Sequence, residues 1–391
     1  MQPEHLKPEH LKPEHLKPEH LKTVIQLRHE LHRHPELSMQ EEWTPQHLQQ
    51  FLKAHTRLEI FDHGRWFYAL YRSRTPVQKP AIAFRADFDA LPVQDDIDAA
   101  YRSEIPEVGH KCGHDGHSAA LAGLALEIDR SGADRDVYFI FQHAEEIGAG
   151  ARECADALKA REPQIEEIYA FHIFPGLPTA AVGLKTGLVH FASKGLSMRF
   201  EGRQSHASLP EEGINPAFAI ARIIEHLESL RDIAARLELQ GEVLCTIIQV
   251  DIGEKAFGTA AGSGLLRLTL RAQYEQELGR LQQYIEKQAR AESARYGLHY
   301  SSEESDVFPE TVNHAESIQK VAAACDQLGI PIRHLPDAFR GSEDFGYYLK
   351  DCKGCIFFIG SGEESPGLHT TAFDFPDEII EPAVEIFKTL I

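Results

Sequence analysis

The chain has 391 residues, 42% apolar and 26% charged, which suits two or three ordinary domains at roughly 100–200 residues each. Lys plus Arg number 40 and Asp plus Glu 60; a net charge of −20 disfavours phosphate backbones and anionic lipid as partners. There is no apolar run near the roughly 18 residues of a membrane span, no signal-like N-terminus, and only six cysteines, so a cytoplasmic chain without nucleic-acid or membrane partners is expected.

Four copies of the pentad PEHLK open the chain at residues 3–22 and hold His5, His10, His15 and His20 of its 22 histidines. A proline every fifth residue removes a helical hydrogen bond per turn, so residues 1–22 read as a low-complexity tail, extended up to about Pro18. A histidine metal tract is the lesser alternative. Pro18 then suits the first position of a helix with Leu21, Val24, Leu27 and Leu31 on one face, ended by Pro35. Ser38 and Glu41 have capping-box spacing, and Thr44-Pro45 starts a helix to about Ala54.

Further along come compact apolar runs of strand length: AIAF (81–84), VYFIF (137–141), IYAF (168–171) and CIFFI (355–359). Helical stretches such as 118–128 separate them. The expected fold is α/β, a mixed and mostly parallel buried sheet flanked by helices. From about 187 to 297 the texture changes to alternating strands (LSMRFEG, EVLCTIIQV, LLRLTLRAQ), helices over 215–235 and 275–296, and a last strand at LHYSS. That reads as an α+β unit, residues 188–300, inserted into a larger domain made of 23–187 and 301–391.

The segments directly after the buried strands carry the chemistry. RADFDALP brings Asp87 and Asp89, QHAEE brings His143, Glu145 and Glu146, IYAF leads to His172, and CIFFIG leads through a glycine-rich turn to His369. The segment GHKCGHDGH adds His110, Cys112, His114, Asp115 and His117 before a helix. Open α/β sheets bind ligands beyond the carboxyl ends of their strands, and these side chains are the ones transition metals use. Each piece alone has an ordinary reading: a hydrogen-bonded strand-end histidine, a polar loop on a helix cap, a solvated pair of glutamates. Their coincidence on several strands favours a metal site. A zinc finger is disfavoured, because no paired Cys/His knuckle occurs at finger spacing.

The strings LHRHPELSMQEEWT, FRADFDALPV, GHKCGHDGH, QHAEEIGAGA, SHASLPEEGINP, GSEDFGYYL and GLHTTAFDF occur in order. Together they resemble the dinuclear-metal amidohydrolase and metallopeptidase family of hippurate hydrolases, N-acyl-amino-acid deacylases, acetyl-diaminopimelate deacetylases and auxin-conjugate hydrolases. The resemblance runs from about Thr23 to the C-terminus. It implies a catalytic domain holding two divalent metals and an inserted lid that forms a homodimer. The implied ligands are Cys112, His114, Glu146, His172 and His369, with Glu145 as general base and Asp87, Asp115 and Glu343 supporting them from behind. It also implies that His206 reaches the neighbouring subunit's site, and that Asn215 and Arg271 contact substrate. From the residues alone, Asn215 before Pro216 reads more simply as a helix cap, and Arg271 equally well as a surface ion pair.

The implied reaction is attack of a metal-activated water on the amide of an N-acyl amino acid or related small amide, with Glu145 moving the proton. A dipeptidase or exopeptidase using the same centre is the alternative. A catalytically inactive binding relative is disfavoured by retention of Glu145 and all five ligand residues. A Cys/His/carboxylate set accepts zinc, manganese, cobalt or nickel. Three departures set this chain apart. FGTAAGSG around Gly258 replaces an Asn-x-Ile-Pro segment, Leu268-Thr269-Leu270-Arg271 replaces Gly-Thr-x-Arg, and HGRWFYALY puts Trp66, Phe67 and Tyr68 where small residues are usual. The substrate therefore need not be a simple acetyl or benzoyl amino acid. His29, His32 and His34 read as structural, and Cys352 and Cys355, despite redox spacing, lead into a buried strand.

Overall fold

The computed structural model describes residues 16–75 and 79–391. Of the tail expected over residues 1–22, residues 1–15, with His5, His10 and His15, lie outside the described residues, whereas 16–22 join the fold: Leu16 is buried in the core, a helix begins at Pro18, and His20 Nδ1 lies 2.8 Å from Glu127 Oε1. Four strands form the centre of an eight-stranded sheet: Arg135–Gln142, Lys79–Asp87, Ile165–Pro175 and Lys353–Gly362, side by side and parallel. They contain the four apolar runs, and burial on both faces is why those runs are continuous rather than alternating.

Short strands finish the edges. Phe67–Tyr71 and Glu59–Asp62 pair antiparallel on one side, while Val182–Leu184 and Ile332–His334 close the other. The aromatic segment with Phe67 and Tyr68 forms the strand Phe67–Tyr71, paired on both sides between Glu59–Asp62 and Arg135–Gln142. Phe67 stacks on Phe141 at 4.7 Å, and Trp66 is buried against the sheet's other face.

Helices Pro18–Arg33, His114–Ser131, Ala315–Leu328 and Ile380–Leu390 cover one face, and Gly150–Arg161 the other. The His114–Ser131 helix is buried all round through its first four turns, as its Ala- and Gly-rich sequence requires. A Cβ on Gly123 would stand 3.1 Å from Val384 and 3.3 Å from Val24, so glycine there lets both neighbouring helices close on it.

The expected capping box does not form. The helix Trp43–His55 is capped by Glu36, whose carboxylate accepts the backbone N–H groups of Glu42, Trp43 and Thr44 at 2.8–3.1 Å. A carboxylate beside the positive end of the helix is the stronger cap. Ser38 and Glu41 turn to the strand ends instead, Ser38 donating to Asp89 and Glu41 accepting from Ala144 N.

A second, four-stranded antiparallel sheet runs in the order Val243–Ile252, Ser263–Ala272, Ala192–Glu201, His299–Phe308. Its core of Leu196, Met198, Phe200, Leu266 and Leu268 packs under Ile220, Ile223, Leu281 and Ile285. The single helix expected over 215–235 is two, Ala217–Leu227 and Leu230–Arg236. Ser229 breaks it: its hydroxyl donates to His226 O at 3.0 Å, and its own carbonyl accepts Asp232 N to start the next helix. Serine competes for backbone bonds in just this way. Among the described residues no helix is long and apolar enough to cross a membrane.

Phe387 joins the last helix to the sheet, its ring 4.7 Å from Phe84 and 5.8 Å from both Phe171 and Phe357. Phe387→Ala should cost about 3–5 kcal/mol of stability, read as a lower urea midpoint at unchanged m-value.

Candidate metal centre

Because the four central strands are parallel, their carboxyl ends open on one edge. Asp87 ends one strand, with Asp89 just past it. Glu145 and Glu146 lie just beyond Gln142, and His172 sits in the strand Ile165–Pro175. His369 comes from the loop after Lys353–Gly362. Cys112 and His114 come from the turn that begins the buried helix, with Gly113 between them in the left-handed region at φ 88°.

The donor atoms converge. Cys112 Sγ lies 3.5 Å from His172 Nε2 and 3.4 Å from His369 Nε2, and His369 Nε2 is 3.6 Å from Glu146 Oε2. His114 Nε2 is 3.8 Å from Glu146 Oε1 and 3.8 Å from Glu145 Oε2. Atoms that each bind one tetrahedral ion at about 2.0–2.3 Å stand roughly 3.3–3.8 Å apart, so this spacing suits a metal between them.

Hydrogen bonds orient the rings. His114 Nδ1 faces the carbonyl and the carboxylate of Asp89 at 3.0 and 3.1 Å, and His172 Nδ1 faces Ile173 O at 2.7 Å. Acceptors at Nδ1 put the hydrogen there and leave the Nε2 lone pair for a cation. His117 is different: its Nδ1 bonds Asp87 at 2.7 Å and its Nε2 accepts Ile173 N at 3.0 Å, so neither nitrogen is free. His114 Nε2 and Glu146 Oε1 are buried with no hydrogen-bond partner among the described residues. Buried polar atoms are rarely left so, and a cation between them supplies what each lacks.

The charges point the same way. Burial, then Glu146 and Glu145, push the Cys112 thiol well above its usual range. Burial, then Glu343 and Asp344, do the same to Glu145. Burial raises Glu146 as well, to about 7, with His114 opposing. At His114 burial disfavours the imidazolium, yet Asp87 and Asp89 outweigh it and push the ring up to about 10. Burial pushes His172 well down and His369 down, keeping both rings neutral as metal ligands must be, while the crowded acids hold protons that a divalent ion would replace.

Asp115 supports this cluster from behind, Glu343 stands within 4.8 Å of Glu145, and Asp87 Oδ1 lies 3.8 Å from His114 Nε2. Asp87 pairs with His117 and with buried Arg85, which also reaches Asp344 at 2.8 Å and Glu343 at 3.3 Å. Asp115 accepts from Arg28 Nε at 3.0 Å and lies 2.7 Å from His32 Nδ1. His32 Nε2 in turn faces Asp95, whose other oxygen pairs with Lys111. His32 is thus structural, in support of the turn carrying Cys112 and His114. Asp89 is closer to the ligands than any of these, since it also accepts Glu146 N at 3.0 Å. Its place after a strand was visible, but which of the two aspartates meets His114 was not.

A cleft of about 550 Å³ opens over the cluster, lined by Cys112, Glu145, Glu146, His172, Glu343 and His369 and by Arg271. Arg271 donates to Arg340 O and Ser342 Oγ at 2.7 and 2.8 Å, not to a carboxylate, so the surface ion pair is not what forms. Two candidates stay outside this cleft. His206 is exposed in the short strand Ser205–His206, with Nδ1 2.6 Å from Ser208 Oγ, and Asn215 Oδ1 accepts Ala217 N at the start of its helix. The cleft also holds residues that sequence reasoning passed over: His190, Phe174, Phe339 and Phe358. The backbone is strained at the site, with positive φ at Ala144 (48°) and His369 (62°), where non-glycine residues are uncommon.

A model of peptidase family M20/M25/M40 matches residues 83–391. The N-acetylcysteine deacetylase of Bacillus subtilis (strain 168) is 29% identical over 373 residues, 94% of this chain and 95% of the relative. The N-acetyldiaminopimelate deacetylase of Exiguobacterium sibiricum is 27% identical over 364 residues, 92% and 96% of the two chains. The crystal structure of Bacillus subtilis YXEP protein, a dinuclear metal binding peptidase from the M20 family, matches with a TM-score of 0.78 at 26% identity. That match covers 96% of this chain and 98% of the other.

A Cβ on Gly113 would stand 2.7 Å from Ile173 Cγ2 in a backbone conformation that L side chains avoid. Gly113→Ala should displace Cys112 and His114 and weaken metal affinity by about tenfold, as measured by chelator competition, while the far-ultraviolet circular dichroism is retained.

Proposed function

The chain belongs to peptidase family M20/M25/M40 and is a hydrolytic enzyme, and from that premise we propose that it removes the acyl group from an N-acyl amino acid or a related small amide. The observation that carries the reading is the set of five donor side chains, Cys112, His114, Glu146, His172 and His369, spaced at 3.4–3.8 Å beside Glu145. The deacetylases among the relatives support the substrate class.

In this reading those five residues hold two divalent ions. Bound there, the ions supply Lewis acidity, acidifying a water and polarising the amide carbonyl. The protein supplies the rest. Glu145, buried at the cleft floor, takes the proton from the attacking water and returns it to the departing nitrogen. Arg271, half-buried and without a carboxylate partner of its own, orients the substrate carboxylate. The phenylalanine wall keeps water from the far side of the cleft.

A homodimer and a cytoplasmic setting belong to the same reading. The edge strand Val243–Ile252 exposes Ile247, Ile248 and Val250, and Phe257 beyond it is fully exposed. An apolar, unpaired edge of this kind suits pairing with a second copy. His206, exposed and outside its own chain's cleft, is then available to the partner subunit. All six cysteines are free thiols, as in a reducing compartment.

The test is metal content together with turnover of a panel of N-acyl amino acids and dipeptides. We expect about two ions per chain, in line with a two-metal site, and deacylation by the wild type. Glu145→Gln should keep its metal and lose about 10²–10⁴ in kcat. Failure to take up metal after reconstitution would sink the proposal, and cleavage of dipeptides alone would turn it into an exopeptidase. Arg271→Ala should raise KM about tenfold for substrates with a free carboxylate and leave KM for their amidated counterparts much closer to wild type.

A further inference from the structure

The wall of the cleft facing the donor cluster is aromatic. Phe174, Phe339 and Phe358 pack with all three pairs of ring centroids 5.2 Å apart. His190 completes the wall, 5.6 Å from Phe339 and 5.8 Å from Phe358. It is held firmly from the backbone. Phe339 donates to Val189 O at 2.7 Å and accepts from Phe191 N at 3.1 Å, and His190 itself pairs with Thr311.

The side chain is unusual for its surroundings. His190 is more than nine-tenths buried, and its Nδ1 has no hydrogen-bond partner among the described residues. Burial alone pushes the ring down to about 3, so it is neutral, with one donor and one acceptor. A buried polar group without a partner is costly, whereas a phenylalanine or leucine at this position would complete the wall at no such cost. Nδ1 is sealed from the cleft, whereas Nε2 is not sealed and has no hydrogen-bond partner among the described residues, so Nε2 is the atom placed to pair with what enters.

We propose that His190 is a specificity-determining residue, selecting substrates whose cleft-bound aromatic or bulky apolar group carries a hydrogen-bonding atom such as a ring hydroxyl. The three phenylalanines take the apolar body of that group, and the neutral imidazole reads its polar tip. An analogue lacking the polar atom leaves the imidazole unsatisfied, which is how a buried hydrogen-bonding site rejects a near-isostere. The inference deepens the deacylase reading and rests on it only for the reaction after binding.

The test measures binding first and turnover second, on the metal-loaded protein. Calorimetry compares 4-hydroxybenzoate with benzoate, and tyrosine with phenylalanine, covering both the acyl and the amino-acid product of an amide. In the wild type the hydroxylated member of at least one pair should bind about tenfold more tightly. His190→Phe should abolish that preference, and His190→Asn, which keeps a donor and an acceptor, should retain part of it. Equal affinities within both pairs, no binding of any of the four, or a preference that survives in His190→Phe would each overturn the proposal. The matching amides, N-(4-hydroxybenzoyl)glycine against N-benzoylglycine and N-acetyltyrosine against N-acetylphenylalanine, separate the two readings. Turnover with no hydroxyl preference overturns the role of His190 and leaves the deacylase standing. A hydroxyl preference in binding without turnover of any amide overturns the deacylase and leaves the subsite. Thermal melting of both variants confirms that the comparison is between folded proteins.

Discussion

The carboxylate of Asp89 is the joint on which the metal centre depends. It faces the Nδ1 of His114, it accepts the backbone N–H of Glu146, and it accepts the hydroxyl of Ser38 from the loop after the first helix. The first contact places the His114 hydrogen and so aims the Nε2 lone pair at the cluster. The second fixes the turn that carries Glu145 and Glu146. The third ties both to the N-terminal part of the chain. Three segments far apart in sequence are brought to hydrogen-bond distance by one short side chain at the end of one parallel strand.

Behind that joint the protein buries charge on a scale that stability alone does not explain. Arg28, Asp115, His32, Asp95 and Lys111 form one connected set, and Arg85 with Asp87, Glu343 and Asp344 another. Burying paired ions is often no better than packing apolar residues in their place, while removing one partner is strongly destabilising. What these sets secure is position. Lys111 and Asp115 flank the turn holding Cys112 and His114, and Lys111 also binds the carbonyl of Phe373 in the loop that carries His369. Lys111 O accepts the backbone N–H of His369 itself. Two candidate ligand segments, those of Cys112 and His369, 257 residues apart in sequence, are thereby fixed to the same lysine.

Much of this was legible in the sequence, because the strongest signals are local. Four continuous apolar runs read as buried parallel strands, and the carboxylates and histidines at or after their ends gather at one edge, where the turn carrying Cys112 and His114 joins them. Local reading failed where the deciding contact comes from elsewhere. Ser38 and Glu41 fit a capping box, but Asp89 and Ala144 draw them away and Glu36 caps instead. Ser229 looked like one more polar residue on a helix until its hydroxyl took the His226 carbonyl. Strands of three residues, such as Val182–Leu184 and Ile332–His334, are too short to show any period. His190 and Phe339 were invisible as a pair, since a histidine after GLV and a phenylalanine before RGS carry no sign that their backbones will bridge.

The cleft also resolves a tension in the composition. A chain with net charge −20 repels a substrate carboxylate at long range, yet the relatives are named for acylated amino acids. In the deacylase reading proposed above, attraction would have to be local, and the cleft carries an arginine, an aromatic wall and a cluster of acids. Arg271 lines the cleft half-buried, and among the described residues it donates to Arg340 O and Ser342 Oγ and meets no carboxylate. The phenylalanine wall lies beside it, where a lower dielectric strengthens each polar contact. At the floor the clustered acids, which would oppose an anion if left alone, are the groups that divalent ions neutralise. Salt screens the surface repulsion within about 10 Å at 0.1 M, but it reaches the buried parts of the cleft far less. The acidic surface and the charges inside the cleft act over different distances, so the one does not dictate the other.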